Sequence, residues 1–573
     1  MLNPHRSIWR LAEHNPLLVE QLAASLQMDP ILVRIMLGRG LSTEQDMKLF
    51  LHSSLKEIIA SFCPKNIDRA VARVIKALKG KEKVVVFGDY DADGVTGTVL
   101  VYDALRQLGA DVTYYVPLRY TEGYGLNKQA VEKFIADKVN LLITVDCGIS
   151  NVDEIAQASE AGIEVIITDH HTPPIQLPAA IAIINPKCEH TDGSQFLAGV
   201  GVAYKFIAYL YKTYKDYDLF HSKRYLDLVA IGTITDVVPL LGDNRIFVKK
   251  GIEKLNKEAS LGLFYLLEQV RNGGPINTTT IGFGIGPRIN AAGRLDSADL
   301  GIDLLMTRDR EKAKRLSGQL NDLNERRKRE GEKIFQEASR IVEQNLDMLD
   351  KQVLVLSSQD WEPGVIGIVT SQLAKRYDRP VVLITTKGNI SRGSIRSFAG
   401  TDIFSALEKC QKILLSYGGH KEAAGFEIDA SRIDEFRDQY IHLLHEELQG
   451  EPLHSIIRID DELVFPQLTL GLLNDLKKLE PFGEGNREPV FLIRRLNAMH
   501  FYLVGKDKSH LKVDFIQGSE QIEAIGYKMA HFWDLLDKYT TFDVAFNLAD
   551  NDYGGKKRLV LRMVDLKPSP TEP

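Results

Sequence analysis

Asp89, Asp91 and Asp93, then Asp146, then Asp169 with His170 and His171, then Asp236 all stand where a short β-branched run breaks off. The runs read KVVVFGDYDADG, LLITVDCG, VIITDHH and AIGTITDVVPL, each expected to be an apolar strand that ends in carboxylate or imidazole. Donors of these types are ligands for divalent cations, and a mixed oxygen and nitrogen set suits Mn²⁺ or Mg²⁺ better than a thiolate-rich zinc site would. Asp91 and Asp93 alternate in an extended or turning segment and can present carboxylates to two neighbouring ions, with Asp146, alone after its strand, as the natural bridge. Histidine ligation favours Mn²⁺. Two such ions about 3.5–4 Å apart activate water and stabilise both the attacking and the leaving oxygen of phosphoryl transfer. A single Asp after a strand is most often a helix N-cap or a turn former. Four such ends together, with no comparable cluster elsewhere in the chain, make a two-cation centre the stronger reading.

Those ends need a sheet to align them. From about 66 to 265, apolar strands alternate with helical segments, which predicts a parallel, helix-covered sheet with its site at the carboxyl edge of the strands. Before it, residues 1–65 read as an amphipathic helical lead-in. After it, GFGIGPRINAAGRL at 282–295 resembles a hinge, and a long helix is expected over about 309–346. Strand and helix alternation resumes in QVLVLSSQ, PVVLIT, GSIRS and GGHKEAAGFEI. The domain boundaries expected are therefore 66–300 for the first α/β domain, 301–349 for the connecting helix, 350–450 for a second α/β domain, and 455–568 for a C-terminal domain, with Glu451–Pro452 as a linker. The last segment alternates Val, Ile, Phe and Tyr with polar residues, which suggests an OB-like β-barrel. Phe501, Tyr502, Lys506, Lys508 and Lys512 are its candidate contacts to a single strand.

The 573 residues carry a formal charge of −6, so any polyanion must meet a local basic surface rather than the field of the whole chain. The stretch 308–333, with Lys312, Lys314, Arg315, Arg326, Arg327, Lys328 and Arg329 on a helical pattern, is one such candidate. Cys63, Cys147, Cys188 and Cys410 form no CxxC pair, which indicates neither a zinc ribbon nor a disulfide framework and fits a reducing compartment. With no apolar run of about 18 residues and no uninterrupted apolar segment in the opening residues, the expectation is a cytoplasmic protein with no membrane contact.

GDYDADG, VDCG, TDHH and the Asp of ITDVVPL resemble the DHH phosphoesterase superfamily, and GGHKEAAG resembles its DHHA1 partner domain. The resemblance extends through LAGVGVAYK, GPRINAAGRL, WEPGVIGIV and the C-terminal OB segment, and so covers nearly the whole chain. It is greatest to the branch that degrades single-stranded DNA from 5′ to 3′ in bacterial recombination and repair. Some other relatives place a histidine ahead of the paired aspartates, where this chain has Phe87 and Gly88, which agrees with the exonuclease branch.

By that resemblance, Asp89, Asp91, Asp93, Asp146, His170 and Asp236 hold two divalent cations, Mn²⁺ or Mg²⁺. Asp169 orients, and His171 faces the scissile phosphate, where a preorganised donor stabilises developing charge. Ser394 and Arg396 anchor a 5′-terminal phosphate together with Arg119, while Arg288, Asn290 and His420 contact the terminal or scissile phosphate. Cys147 stands where the family commonly has Asn, which bears on a hydrogen bond beside the site rather than on ligation. The implied partners are single-stranded DNA, a single-stranded-DNA-binding protein and a RecQ-type helicase, and the chain is expected to act as a monomer. Two alternatives stay open: a DHH phosphodiesterase of cyclic dinucleotides or short oligoribonucleotides, and a non-catalytic DHH scaffold in a replication assembly.

Overall fold

The computed structural model describes residues 7–52, 54–56, 58, 66–119, 121–188, 195–270, 273–387, 390–449, 453–553 and 556–570. The expected Glu451–Pro452 linker and Cys63 lie outside the described residues. The chain divides into two units. One comprises Leu41–Glu325 and Lys478–Glu488; the other comprises Met1–Gly40, Arg326–Lys477 and Pro489–Pro573.

In the first unit, Val84 and Val86 belong to one apolar layer, while Val85 and Phe87, one residue out of phase, belong to another. Side chains of a strand point alternately to its two faces, so a strand apolar at every position must be covered on both. The result is a five-stranded parallel sheet in the spatial order Asp111–Tyr115, Lys83–Gly88, Leu141–Val145, Glu164–Thr168, Ala182–Ile184. The helices Ile67–Gly80, Ala92–Gln107, Lys128–Ala136, Val152–Glu160 and Gly199–Lys215 connect and cover it. Numbered along the chain the order is 2-1-3-4-5, so the winding reverses between Lys83–Gly88 and Leu141–Val145. That switch point opens a crevice beyond the strand ends, where open α/β sheets bind ligands.

Two segments differ from their sequence-based reading. Leu226–Thr235, which leads to Asp236, is a helix and not a strand. It is apolar and buried almost all round, and a short fully buried run has no periodicity that separates helix from strand. The glycine-rich stretch is likewise no hinge: Thr280–Ile285 is a π-helix that continues into the α-helix Gly286–Leu295. Its glycines serve close packing; a Cβ on Gly286 would sit 2.1 Å from Thr235 Cγ2.

The second unit holds two large sheets of different design and a two-stranded one. Leu354–Ser358 and Val381–Thr385 pair in parallel, and Ile390–Arg396, Ala423–Asp429 and Leu414–His420 add antiparallel strands, giving one five-stranded sheet. Phe491–Val504, His510–Gln517, Glu520–Gly526, Lys556–Pro568 and Thr541–Tyr553 form the other, which closes into a five-stranded barrel because the last strand also pairs with the first. Closure removes the exposed strand edges. The N-terminal lead-in, expected to be helical, opens instead on the strand Ile8–Leu11, which pairs in parallel with Ile456–Ile459. Periodicity along four residues carries no record of a partner more than 400 positions away. The helix Arg310–Gln344, 35 residues long, runs from one unit into the other.

Arg245 ties three distant segments of the first unit together. It is 2% exposed and donates from Nε to Phe50 O (2.9 Å), from Nη1 to Leu479 O (2.8 Å) and from Nη2 to Lys478 O (3.3 Å). Its guanidinium carbon also lies 3.7 Å from the centroid of the Phe50 ring. Arg245→Ala leaves these carbonyls without a donor in a dry environment. The expected loss of unfolding free energy is about 3 kcal/mol, as for a small cluster of buried charged hydrogen bonds, read by chemical denaturation against the unaltered chain.

Candidate metal centre

The strand Lys83–Gly88 delivers its chain to a tight turn, Asp89–Tyr90–Asp91, that starts the helix Ala92–Gln107. Asp91 is the N-cap: its Oδ1 accepts from Asp93 N (2.9 Å) and Gly94 N (3.0 Å). Asp93 lies in the first turn, 1% exposed, with Oδ2 accepting from Gly199 N (2.7 Å) and Oδ1 from Val200 N (2.9 Å). Those amides begin the helix Gly199–Lys215, whose positive end suits a carboxylate. Asp146 follows Leu141–Val145 with φ +62°, a left-handed conformation that Asp tolerates better than most residues. Its amide donates to Thr168 O at 2.9 Å.

Asp236 is the C-cap of Leu226–Thr235. His170 Nε2 stands 3.2 Å from Asp146 Oδ1, 3.5 Å from Asp236 Oδ2 and 4.0 Å from Asp93 Oδ2. Three groups each have ligand atoms within 4.8 Å of one another: Asp89, Asp91 and Asp146; Asp93, His170 and Asp236; Asp146, His170 and His171. Asp146 belongs to two of the groups, as a bridging carboxylate must.

Asp169 sits differently. Its Oδ1 accepts from His170 N (2.7 Å) and His171 N (3.0 Å) and pairs with His171 Nδ1 (2.7 Å), and its Oδ2 accepts from Ile149 N (3.0 Å). Although burial opposes ionisation, these bonds, that from His171 foremost, hold its carboxyl below the ordinary carboxylate range. Burial likewise opposes charge on His171, yet the hydrogen bond to Asp169 raises its pKa.

The electrostatics of Asp89, Asp93, Asp146 and Asp236 run the other way. Burial first, and the neighbouring carboxylates second, push Asp93 up to about 7 and Asp236 to about 9, and hold Asp89 and Asp146 well above their usual range. Burial, followed by the neighbouring His171, lowers His170 to about 3, so its imidazole is neutral and offers a lone pair. Asp89 Oδ1, Asp146 Oδ1 and Asp236 Oδ2 are buried and accept no hydrogen bond. Buried acceptors without donors, converging with a neutral imidazole, are what divalent cations with oxygen and nitrogen ligands require. The residues present therefore fit the expected Mn²⁺ or Mg²⁺ pair.

The expected phosphate contacts divide. The Arg119 guanidinium carbon lies 5.1 Å from the centroid of the Tyr90 ring, in the turn between Asp89 and Asp91. Asn290 Oδ1 accepts from Ala92 N at 2.7 Å, so this side chain braces the metal-bearing turn instead of reaching outward. Arg288 is turned inward as well: it is 7% exposed and donates to Asn321 Oδ1, Gly284 O and Gln269 O. In the second unit, Arg396 Nη1 lies 3.3 Å from Ser394 Oγ on the strand Ile390–Arg396. His420 is opposite Ala423, itself opposite Arg396, so the histidine and the arginine share one row at the end of that sheet.

On the barrel, Phe501 packs edge-on against Trp533 at 4.7 Å and Lys512 pairs with Glu523 at 2.7 Å. Tyr502, 50% exposed, with Lys506 and Lys508, remains turned to solvent.

Three functional positions escaped sequence reasoning. Tyr124 OH lies 3.3 Å from Asp146 O, to which it donates, and 3.1 Å from His171 Nδ1. Gly199 and Gly232 let backbone approach the acids: a Cβ would sit 2.4 Å from Asp146 Oδ1 at the first and 2.6 Å from Asp93 Oδ1 at the second. The only sequence signal for them was small residues in LAGVGV and AIGTIT, each carried by a helix whose packing no local pattern reveals. Cys147 is fully buried with Sγ 3.9 Å from Phe87 O, and so turns away from the ligand set.

A parallel sheet carrying this donor set at its switch point, in a chain with a second mixed sheet, defines a DHH phosphoesterase. The DHH family N-terminal domain matches residues 83–233, the DHHA1 domain 350–446 and the RecJ OB domain 459–565. The chain belongs to the RecJ family. It is 34% identical to the single-stranded-DNA-specific exonuclease RecJ of Bacillus subtilis, over 97% of this chain and 70% of that protein. It is also 34% identical to the RecJ of Haemophilus influenzae, over 95% of this chain and 97% of the relative. The crystal structure of RecJ from Thermus thermophilus in complex with Mn²⁺ superposes with a TM-score of 0.86 at 31% identity, covering 99% of this chain and 80% of that one. The Mg²⁺ complex of the same protein gives 0.77 at 28%, covering 99% and 79%. As a member of this family the chain is a metal-dependent exonuclease with two divalent cations, Mn²⁺ or Mg²⁺, as cofactors.

A carboxyl whose folded pKa is raised adds stability below its unfolded value and loses it as pH rises through the folded one. Chelator-treated protein is therefore expected to lose thermal stability as pH rises from about 4 through the values of about 7 and about 9 at Asp93 and Asp236. Mn²⁺ should raise the melting temperature most at the alkaline end, as differential scanning fluorimetry would report. Gly199→Ala, by pressing on Asp146, should weaken Mn²⁺ binding on the order of tenfold or more, read by calorimetric titration.

Proposed function

We propose that this RecJ-family exonuclease hydrolyses single-stranded DNA from its 5′ end, releasing 5′-mononucleotides, in DNA recombination and repair. The observation that carries the proposal is the set of three buried carboxylate oxygens without donors, those of Asp146 and Asp236 beside the neutral His170 and that of Asp89 on a residue grouped with Asp146. Asp89, Asp91, Asp93, Asp146, His170 and Asp236 would hold the two cations, which supply Lewis-acid activation of water and neutralise phosphate charge when bound. A scaffold with no chemistry has no physical need to bury so much unpaired negative charge.

His171 is the proton-bearing donor to the scissile phosphate. Asp169 accepts a hydrogen bond from Nδ1–H and so fixes the ring, which stays partly open to solvent and whose pKa that bond raises. Tyr124 limits the ring's rotation from the other side. Ser394 and Arg396, with His420 on the same row, receive the 5′-terminal phosphate, for which a guanidinium fork is well suited. Asn290 keeps the acidic turn in place, and Arg288 joins the phosphate contacts while its internal bonds hold the guanidinium. The barrel grips the strand beyond the reacting end through Tyr502, Lys506 and Lys508, by stacking and phosphate contacts. That extra domain favours a polynucleotide over a cyclic dinucleotide. A single-stranded-DNA-binding protein and a RecQ-type helicase would present the substrate to a monomer in the cytoplasm.

The test uses oligonucleotides labelled at the 5′ or 3′ end, single-stranded or duplex, with Mn²⁺, Mg²⁺ or chelator. Metal-dependent release of labelled mononucleotide from the 5′ end of single strands, abolished by Asp91→Ala, is expected. Arg396→Ala should raise KM for 5′-phosphorylated strands more than for strands lacking that phosphate. Digestion starting at the 3′ end, or equal effects of Arg396→Ala on both substrates, would refute the respective assignment.

A further inference from the structure

The carboxylate of Asp236 has an unusual weakness for a ligand: Oδ2 accepts no hydrogen bond, so its aim depends on the main chain on either side. Ahead of it stands the helix Leu226–Thr235. Behind it Val237 takes φ +60°, a conformation strained for a β-branched residue, and is 65% exposed. Such a turn persists only where its surroundings over-determine it: Asn244 Nδ2 donates to Pro239 O (3.0 Å) from nearby, and further contacts to 239–241 come from more than 200 residues along the chain.

Leu240 N donates to Glu484 O at 2.8 Å. The Leu240 side chain, 2% exposed, lies so close to Gly483 that a Cβ there would sit 2.6 Å from Leu240 Cδ1, and a Cβ on Gly485 would sit 2.9 Å from Pro239 Cβ. The segment that makes these contacts is itself folded by one buried amide. Asn486 Nδ2 donates to Leu479 O (2.8 Å) and to Pro481 O (2.9 Å), and Gly483 N donates to Asn486 O (2.9 Å). Arg245 then anchors its start through Leu479 O and Lys478 O. Three residues beyond Asn486, Pro489 O accepts from the barrel residue Asn547.

We propose that Lys478–Glu488, closed on itself by Asn486, is a positioning element of the metal centre: it holds the main chain behind Asp236 and thereby aims that carboxylate. Asn486 touches neither substrate nor cation and acts through Leu240 and Asp236. The inference rests on Asp236 being a ligand. It also means that a cut placed ahead of the barrel, if it removes 478–488, damages the catalytic unit as well as DNA binding.

The test is Mn²⁺ binding to the full chain without DNA, by calorimetric titration and by the electron paramagnetic resonance signal of free Mn²⁺. Asn486→Ala and Gly483→Leu should weaken Mn²⁺ binding about 10–100-fold, the usual range for residues that orient a ligand. Asn547→Ala, which removes a comparable buried amide on the barrel side, should leave Mn²⁺ affinity where it is. Unchanged affinity in folded Asn486→Ala, or equal weakening in Asn547→Ala, would overturn the proposal. Should Asn486→Ala fail to fold, the milder Gly483→Ala decides by the same criterion. Asp236→Asn separates the layers: weakening there alone rejects only the positioning role, whereas no weakening there removes Asp236 from the ligand set and the inference with it.

Discussion

Mutual repulsion among buried carboxylates is the constraint from which the rest of this architecture follows. Asp93, Asp146 and Asp236 stand round His170, with Asp89 grouped with Asp146, and backbone amides compensate them at most in part. Taking even one carboxylate out of water costs on the order of several kcal/mol unless it is paired, and burial first, with the neighbouring acids second, raises the pKa of all four. Such a cluster survives only if the surrounding fold is stable enough to carry it, and only divalent cations restore all four charges. Affinity for the cofactor and strain in its absence are two aspects of one arrangement.

Rigid mounting meets that demand. The parallel sheet places Asp89 and Asp146 on either side of its switch point, with two apolar layers fixing the strands that carry them. The N-terminus of Gly199–Lys215 supplies amides to Asp93, and missing side chains at Gly199 and Gly232 allow the approach. Asp169, the one acid held below its ordinary range, serves as a fixed negative post for His171. Neighbouring residues in one short motif thus differ in setting: His170 is neutral and turned to the acids, while His171 has its pKa raised by Asp169 and is partly open to solvent. Burial and partners, not residue type, separate them.

In the proposed function the second unit deals with the polymer rather than the reaction. Ser394 and Arg396 adjoin on one strand, with His420 on the same row, an arrangement that presents charge from a stiff sheet with little entropy to lose. The closed barrel offers Tyr502 and two lysines but turns Phe501 into its own packing. Among the described residues no helix is long and apolar enough to cross a membrane.

The sequence by itself determined the acids and histidines of the centre, the parallel sheet that aligns them, the long helix and the terminal barrel. These are legible because strand alternation, helical periodicity and ligand chemistry are local properties, written in consecutive residues. It misplaced Asp236 at a strand end, since a helix buried on all sides has the same apolar composition as a buried strand. It gave Asn290 and Arg288 an outward role because charge and amide chemistry do not state a direction. Only the tertiary structure decided which oxygens are left without donors, that Tyr124 borders His171, and that Asn486 and Gly483 stand behind Asp236. Each of these joins residues that are tens to hundreds of positions apart, and a contact of that kind exists only once the packed core has brought the segments together.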